Sequence, residues 1–429
     1  MGDILIDRKY SEYSKYPGKW AAERVRHMLA QAKNLRAALI QHRRAIHQHA
    51  EIRFDLPWTR AYVLEALAGM GYSPRELGGG IVAVAGNNPN GKTFLLRADM
   101  DALPIREEND FPFRSQTESM HACGHDLHTA MLLGAAQLLK ACECDLRGQV
   151  KLMFQPAEEV MGGAIRMIEE GVLQNPSVDA AMMIHVMPAL PVPAGTAIFS
   201  GGNPGYAACD WFEISIQGKG GHGAMPHTAV DPLNVAAHTH IALQAIVARE
   251  ISPRTPIVIT VGEMHGGTVS NVIPDAATLR GTIRTFDESA RAFAKERVLQ
   301  VAQGVAATFR AQASVAYSMG CPAVVADAAL DARLMAYARE IVGPERVTDS
   351  AALARRYAES GIAAGMGSED FAFISQAVPG ACIILAAGAA EDGYGYPIHH
   401  PKSMFDEDAL AYGAALYAGC AARWLAEGV

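Results

Sequence analysis

Residues 121 to 128 read His-Ala-Cys-Gly-His-Asp-Leu-His, and this stretch sets the interpretation of the whole chain. It concentrates three histidines, a cysteine and an aspartate in eight positions, directly before an apolar helical pattern at Thr129 to Leu139. We therefore place it on a loop between a strand and a helix, where ligands are held on a rigid scaffold and stay open to solvent. Cys123 and His125 can both point at one metal ion, because a divalent cation stabilises the thiolate form of a cysteine.

Strands and helices alternate on both sides of this stretch. Short apolar runs bounded by turn residues predict strands at residues 81–85, 93–97, 149–154 and 180–185. The alternation with helical segments predicts an α/β fold with helices packed on both faces of a sheet. Residues 35–205 and 321–429 form the predicted catalytic, metal-binding domain, and residues 1–34 form a predicted N-terminal extension.

The pattern changes near Pro204. From there the predicted elements follow the order strand, helix, strand, strand, helix, strand, which is the order of a ferredoxin-like unit. A segment of this size is long enough to be a small domain. We therefore predict that residues 206–320 form an inserted ferredoxin-like domain that interrupts the α/β domain.

Composition narrows the classes of function. The 429 residues include 37 Lys and Arg against 45 Asp and Glu, a net charge of -8. This balance gives no indication of a nucleic-acid partner or an anionic membrane, and no apolar run reaches the length of a membrane span. The seven cysteines are scattered and odd in number, so they predict a reducing, cytoplasmic location rather than a disulfide framework.

Polar clusters lie at the ends of the predicted strands or in the loops that follow them. They are residues 97–101, 121–128, 155–159 and His185, and a further pair, His399 and His400, lies near the C-terminus. Open α/β sheets bind ligands at the carboxyl ends of their strands. We therefore expect these clusters to converge on one site.

Each cluster alone has a simpler explanation. Two nearby aspartates could be turn residues, and adjacent glutamates usually open a solvated helix. A single histidine is more often a hydrogen-bonded core residue, a lone cysteine is often a small buried hydrophobe, and paired histidines could lie on the surface. All of these explanations would have to hold at once, so we favour a joint metal site. Thiolate, imidazole and carboxylate ligands suit Zn, Mn, Co or Ni, and two such ions about 3.5–4 Å apart would activate a water.

The chain resembles the M20 metallopeptidase family, and within it the amidohydrolase branch of N-acyl-amino-acid, hippurate and auxin-conjugate hydrolases. The matching segments are RADMDALP at 97–104, HACGHD at 121–126, QPAEE at 155–159, GHGAMPH at 221–227, GTVSNVIP at 267–274, GTIR at 281–284, GSEDF at 367–371 and HHP at 399–401. The match runs in order from about Leu35 to the C-terminus. The fold that it implies is a zinc-peptidase type of catalytic α/β domain with an inserted dimerisation domain.

The resemblance implies roles for individual residues. Cys123 resembles the bridging metal ligand, a position where related peptidases place an aspartate. The other implied ligands of two divalent metal ions are His125, Glu159, His185 and His399. Glu158 resembles the general base, which would take a proton from the attacking water and pass it to the leaving amine. Asp99 matches a supporting carboxylate near the site.

The resemblance also implies that the inserted domain dimerises and contributes to the substrate pocket. His222 would stabilise the tetrahedral oxyanion, and Asn271 and Arg284 would hold the free carboxylate of the substrate. The simpler alternatives are a turn role for His222 and an exposed ion pair for Arg284.

The implied activity is metal-dependent hydrolysis of the amide bond of N-acyl amino acids or similar small amide conjugates, by a cytoplasmic homodimer or higher homo-oligomer. Two alternatives remain open from the sequence. One is a dipeptidase or carboxypeptidase that acts on peptides with a free amine. The other is a catalytically silent homologue that only binds a ligand; the presence of Glu158 and of every implied metal ligand disfavours it.

Overall fold

The computed structural model describes residues 27–202, 205–356 and 365–428, which form two compact units. The first unit takes residues 27–202, 325–356 and 374–428, and the second takes residues 205–324 and 365–373. In these ranges, no helix combines the length and the apolar character that crossing a bilayer requires.

Helices and strands alternate along the first unit. The helices of the two units are α1 (27–34), α2 (Arg36–Gln48), α3 (Pro57–Gly69), α4 (His125–Ala141), α5 (Gly163–Glu169), α6 (Pro232–Ala245), α7 (Glu288–Thr308), α8 (Ala328–Val342), α9 (Ser350–Arg356), α10 (Ala372–Ala377) and α11 (Ala409–Glu427). The strands are β1 (Arg75–Leu77), β2 (Gly80–Ala85), β3 (Thr93–Asp99), β4 (Gln149–Gln155), β5 (Ala180–Met187), β6 (Ala197–Phe199), β7 (Ala208–Gln217), β8 (Gly221–His222), β9 (Ile257–Gly266), β10 (Val272–Ile273), β11 (Ala276–Thr285), β12 (Gln312–Cys321), β13 (Val347–Asp349) and β14 (Gly380–Ala386).

The first unit is built on an eight-stranded mixed sheet in the order β1-β2-β4-β3-β5-β14-β6-β13. Its central strands β4, β3, β5 and β14 are parallel neighbours. Every residue of β3 is buried, as are all but the last residue of β5. Parallel strands that are covered on both faces have nearly continuous apolar sequences, and this is why the sequence pattern predicted these strands. The predicted α/β fold is confirmed.

The start of α4 differs from its prediction. The helix begins at His125, whereas the apolar pattern begins at Thr129, so residues 125–128 form its first turn and not part of a loop. The turn starts here because Gly124 adopts φ +83°, a left-handed conformation that favours glycine. A Cβ atom at this position would lie 2.4 Å from Cγ2 of Val186. Histidine and aspartate have weak helix propensity, so this turn could not be predicted from the local sequence.

Residues 27–34 form helix α1, which buries Met28 and Ala32 in the core of the first unit. These two side chains are four positions apart, so they share one helix face. Residues 1–26 lie outside the described residues.

The second unit contains a four-stranded antiparallel sheet in the order β12-β7-β11-β9. Its main elements follow the chain order β7, α6, β9, β11, α7, β12. Apolar residues of the sheet, such as Ile214 and Leu279, pack against Val298 and other residues of α6 and α7. Along β7 and β12, buried residues largely alternate with more exposed ones, the period expected of a sheet with one covered face.

Candidate metal centre

The polar clusters of the first unit converge at the carboxyl ends of four consecutive parallel strands. Asp99 ends β3, Glu158 follows β4, His185 lies near the end of β5, and His399 is in the segment after β14. These strands are neighbours in the sheet in the order β4-β3-β5-β14. The fold therefore brings residues that are far apart in the chain to one edge of the sheet. The two most distant of them, Asp99 and His399, are 300 positions apart.

Cys123 lies at the centre of this cluster. Its Sγ is 3.4 Å from Nε2 of His185 and 3.3 Å from Nε2 of His399. Oε1 of Glu159 is 3.6 Å from Nε2 of His399 and 3.9 Å from Nε2 of His125. The candidate ligand atoms of Cys123, His125 and His185 lie within 4.8 Å of one another, as do those of Cys123, Glu159 and His399. Cys123 therefore belongs to two candidate ligand sets.

Hydrogen bonds on the far side of the rings orient two of the histidines. Nδ1 of His125 donates to the carbonyl oxygen of Asp101 at 2.7 Å, and Nδ1 of His185 donates to the carbonyl oxygen of Val186 at 2.7 Å. A carbonyl oxygen only accepts, so Nδ1 of each ring carries a proton. Nε2 is then the nitrogen that each ring turns toward Cys123, which is the usual arrangement of a metal-ligating histidine.

Two buried atoms of the candidate ligands lack a hydrogen-bond partner among the described residues. They are Nε2 of His125 and Oε1 of Glu159. Leaving a buried polar atom unsatisfied costs about 1–3 kcal/mol, so native proteins normally pair such atoms. A metal ion would satisfy both, and the thiolate, imidazole and carboxylate donors are a set that binds first-row divalent ions. The residues therefore fit a metal ion.

Asp99 lies beside the candidate ligands and holds a neighbouring histidine, His128. Nε2 of His128 accepts the N–H of Val186 at 2.8 Å, so its Nδ1 donates to Oδ1 of Asp99 at 2.6 Å. Oδ2 of Asp99 accepts from Arg97 at 2.6 Å and lies 3.7 Å from Nε2 of His125. Burial acts to raise the pKa of Asp99, but Arg97 and the two imidazoles outweigh it and hold that pKa well below its usual value. The carboxylate is therefore an anion that holds His128 by a hydrogen bond and lies close to Nε2 of His125.

Asp101 belongs to the polar cluster at residues 97–101, but the sequence assigned it no role of its own. Its carboxylate accepts the backbone N–H groups of Glu158 at 2.9 Å and Glu159 at 3.2 Å, while its carbonyl oxygen holds His125. It thus connects the loop after β3 with the turn after β4. The two-residue spacing from Asp99 was the available signal, because side chains two apart in an extended chain lie on one face.

Protons compete with a metal ion for three groups of the cluster. Burial is the largest cause that raises the pKa of Glu159 to about 7 and the pKa of Cys123 well above its ordinary value. Burial acts to lower the pKa of His125, but Asp99 and Asp101 outweigh it and raise that pKa well above its ordinary value. These groups ligate a metal only after losing a proton, so binding releases protons.

The affinity for a divalent metal ion should therefore fall by about tenfold or more for each unit that the pH drops between pH 8 and pH 6, because each displaced proton changes the binding constant tenfold per unit. Competition with a chromophoric chelator at several pH values measures this slope. Equal affinity across the range would contradict the protonation of these ligands in the metal-free protein.

The second unit carries the other three residues predicted to act on the substrate. His222 ends β8 and Asn271 directly precedes β10, so the two exposed residues are neighbours at the short ribbon that these strands form. Arg284 lies near the carboxyl end of β11, where its Nη1 donates to the carbonyl oxygen of Met366 at 2.9 Å and to Oγ of Ser368 at 2.8 Å. Within this unit, the ribbon brings His222 and Asn271 together, and Arg284 is held elsewhere.

The fold and the cluster together define a metal-dependent hydrolase built on an α/β sheet. The sequence matches the profile of peptidase family M20/M25/M40 over residues 95–423. It is 37% identical over 388 residues to N-acetyl-L-cysteine deacetylase of Bacillus subtilis, a match that covers 88% of this chain and 85% of that protein. It is 36% identical over 435 residues to IAA-amino acid hydrolase ILR1-like 4 of Arabidopsis thaliana, which covers 100% of this chain and 93% of that protein.

Solved structures agree with the sequence matches. A Bacillus subtilis protein described as a dinuclear metal binding peptidase from the M20 family is 31% identical and superimposes with a TM-score of 0.74, covering 92% of this chain and 100% of that one. The chain therefore belongs to peptidase family M20/M25/M40, as its motifs predicted, and is a metal-dependent amidohydrolase.

Proposed function

We propose that this protein hydrolyses the amide bond of N-acyl amino acids or similar small amide conjugates, with Glu158 as the general base. The observation that carries the proposal is the convergence of Cys123, its neighbouring histidines and Glu158 at the ends of four parallel strands. The names of two relatives, a deacetylase for N-acetyl-L-cysteine and a hydrolase for IAA-amino acids, support this substrate class.

The proposed cofactors are two divalent metal ions, which supply Lewis-acid activation of a water and of the amide carbonyl when bound. Their proposed ligands are Cys123, His125, Glu159, His185 and His399. The membership of Cys123 in two candidate ligand sets supports its role as the shared ligand. The mixed sulfur, nitrogen and oxygen donors favour Zn, Mn, Co or Ni over Ca or Mg.

Glu158 is placed for proton transfer in this proposal. Its carboxylate is buried, and its Oε2 lies 3.9 Å from Nε2 of His125. Asp101 holds the backbone of this residue, which fixes the start of its side chain. As water adds to the amide carbon, Glu158 takes a water proton; as the C–N bond breaks, it gives that proton to the leaving nitrogen. The products are a carboxylate and an amine.

His222, Asn271 and Arg284 remain proposed substrate contacts, with His222 donating to the oxyanion and the other two binding the free carboxylate. The ribbon that carries His222 and Asn271 lies at the start of β11, which begins at Ala276. Arg284 is eight residues further along this strand. At about 3.4 Å per residue, the strand separates Arg284 from the ribbon end by roughly 27 Å. One copy cannot place both ends on one small substrate, which supports a contribution from a second copy.

The second unit offers a surface for that second copy. Strand β9 forms one edge of its sheet, and edge strands present unpaired backbone groups to other chains. Met264 on this strand and Ile241 on α6 are 45% and 66% exposed. We propose a homodimer through this surface, so light scattering at micromolar concentration should give twice the 45.7 kDa mass of one chain. An Ile241→Asp variant should shift toward monomer, and a monomeric wild type would contradict the dimer.

A reducing, cytoplasmic location is part of the proposal. All seven cysteines are free thiols. A Cys123 ligand needs such surroundings, because an oxidised sulfur no longer offers a thiolate to a metal ion.

A substrate panel tests the proposed activity. Metal-loaded enzyme should cleave N-acetyl, N-benzoyl or indole-acetyl amino acids with kcat/KM at least about tenfold above its best dipeptide, a difference of about 1.4 kcal/mol in transition-state binding. A preference for dipeptides with a free amine would favour the peptidase alternative. Metal-loaded protein that hydrolyses no member of the panel would favour the silent homologue and contradict the proposal.

A further inference from the structure

A second cluster of buried ionisable side chains lies beside the metal ligands. Oδ2 of Asp126 on α4 accepts from Nε of Arg43 at 2.8 Å and pairs with Nδ1 of His47 at 2.9 Å, both of them on α2. The other ring nitrogen of His47 lies 3.1 Å from Oε2 of Glu107. None of these four residues is more than 8% exposed. This cluster takes no part in the proton transfers proposed above.

The cluster is an ionic network rather than a set of neutral hydrogen bonds. Burial acts to lower the pKa of His47, but Asp126 and Glu107 outweigh it and raise that pKa above its usual value. With a carboxylate at each ring nitrogen, His47 donates from both as an imidazolium. Arg43 also bonds to Glu407 at 3.1 Å. Removing one partner of such a network leaves a buried charge without compensation, which is strongly unfavourable.

Asp126 connects this network to the metal ligands. It directly follows His125 in the first turn of α4, and successive helix positions point about 100° apart. His125 therefore faces the metal cluster while Asp126 faces α2. The N-cap of α4, Gly124, has no side chain to hold this helix start. Asp126 is thus a side-chain anchor for the turn that positions Cys123 and His125.

We propose that Arg43 and His47 are positioning residues of the metal centre. Their hydrogen bonds hold Asp126 in place and so fix the spacing between Cys123 and His125 that metal binding requires. The inference rests on the proposed metal-dependent function. Neither residue is a metal ligand or a substrate contact in this account. Loss of groups that orient metal ligands typically weakens metal affinity by about 10- to 100-fold.

An Asp126→Asn variant tests this role through two readouts on metal-free protein. The first is the affinity for Zn²⁺, measured by competition with a chromophoric chelator, and the second is the melting temperature. We expect an affinity about 10- to 100-fold weaker than that of the wild type. The milder His47→Gln variant keeps an N–H donor for one of the two carboxylates, so we expect a smaller loss in the same direction. It decides the test if Asp126→Asn does not fold.

Asp210→Asn is a matched control for a merely structural effect. Asp210 is also a buried carboxylate with two cationic partners, Arg291 at 2.6 Å and Lys295 at 2.8 Å, but it lies in the second unit. This variant should lower the melting temperature and keep the affinity for Zn²⁺ unchanged.

The outcomes separate the inference from the function on which it rests. Wild-type affinity for Zn²⁺ in both Asp126→Asn and His47→Gln would overturn the inference alone. So would a loss of affinity in Asp210→Asn that matches the loss in Asp126→Asn at a similar melting temperature. A wild-type protein that does not bind Zn²⁺ would overturn the proposed metal-dependent function, and the inference with it.

Discussion

Replacing Glu158 with Gln should lower kcat for hydrolysis of an N-acyl amino acid by about 10²- to 10⁴-fold, the range that a positioned general acid–base group contributes. The amide has nearly the same shape as the carboxylate, but it cannot accept the proton of the attacking water. Because the proposed ligand is the neighbouring Glu159, the affinity for metal should stay close to that of the wild type. Steady-state kinetics on metal-saturated protein, with metal content measured in parallel, checks both statements.

Glu169→Gln provides the control for this substitution. Glu169 is an exposed acid at the end of α5, so the same chemical change there should leave kcat unchanged. If Glu158→Gln retained the kcat of the wild type, Glu158 would not be the general base. If it instead lost its metal, the roles assigned to the two adjacent glutamates would need to be exchanged.

Replacing Cys123 with Ala should weaken metal affinity by more than about 100-fold, beyond the loss expected for residues that only orient ligands. The physical reason is the position of its Sγ, which lies within 3.4 Å of the imidazole nitrogens of both His185 and His399. Removal of this sulfur takes a donor from both candidate ligand sets at once. Hydrolytic activity should fall together with the metal content.

Two further variants sharpen the test of Cys123. Cys123→Asp should recover part of the metal affinity that Cys123→Ala loses, because a carboxylate can also be shared between two ions. Cys142→Ser should bind metal like the wild type, since that buried thiol, directly after α4, bonds to the carbonyl oxygen of Leu138 in the last turn of the helix. A Cys123→Ala protein with full metal content would remove the sulfur from the proposed ligand set.

The sequence predicted the fold well where the pattern was local. The buried central strands β3 and β5 read as continuous apolar runs, and the polar residues that follow such strands pointed to the carboxyl edge of the sheet. The family motifs then supplied the roles of Cys123 and Glu158. These signals lie within a few residues of one another, so one sequence was enough to find them.

The supporting contacts could not be predicted in the same way, because they depend on tertiary packing. Arg43 and Asp126 are 83 positions apart, and no local pattern pairs a helix residue with a partner at that distance. The first turn of α4 was missed because its start depends on the left-handed Gly124 packed against Val186. Asp101 is two residues from the predicted site residue Asp99, but its role depends on hydrogen bonds from the backbone of Glu158 and Glu159, which follow a different strand.

Titration of metal into chelator-treated protein tests the central claim most directly. Hydrolysis of an N-acyl amino acid and the number of bound ions per chain would be measured in the same samples. We expect no activity without metal, and full activity by the time that two ions are bound. Metal-free protein that hydrolyses the substrate at the full rate would contradict this claim.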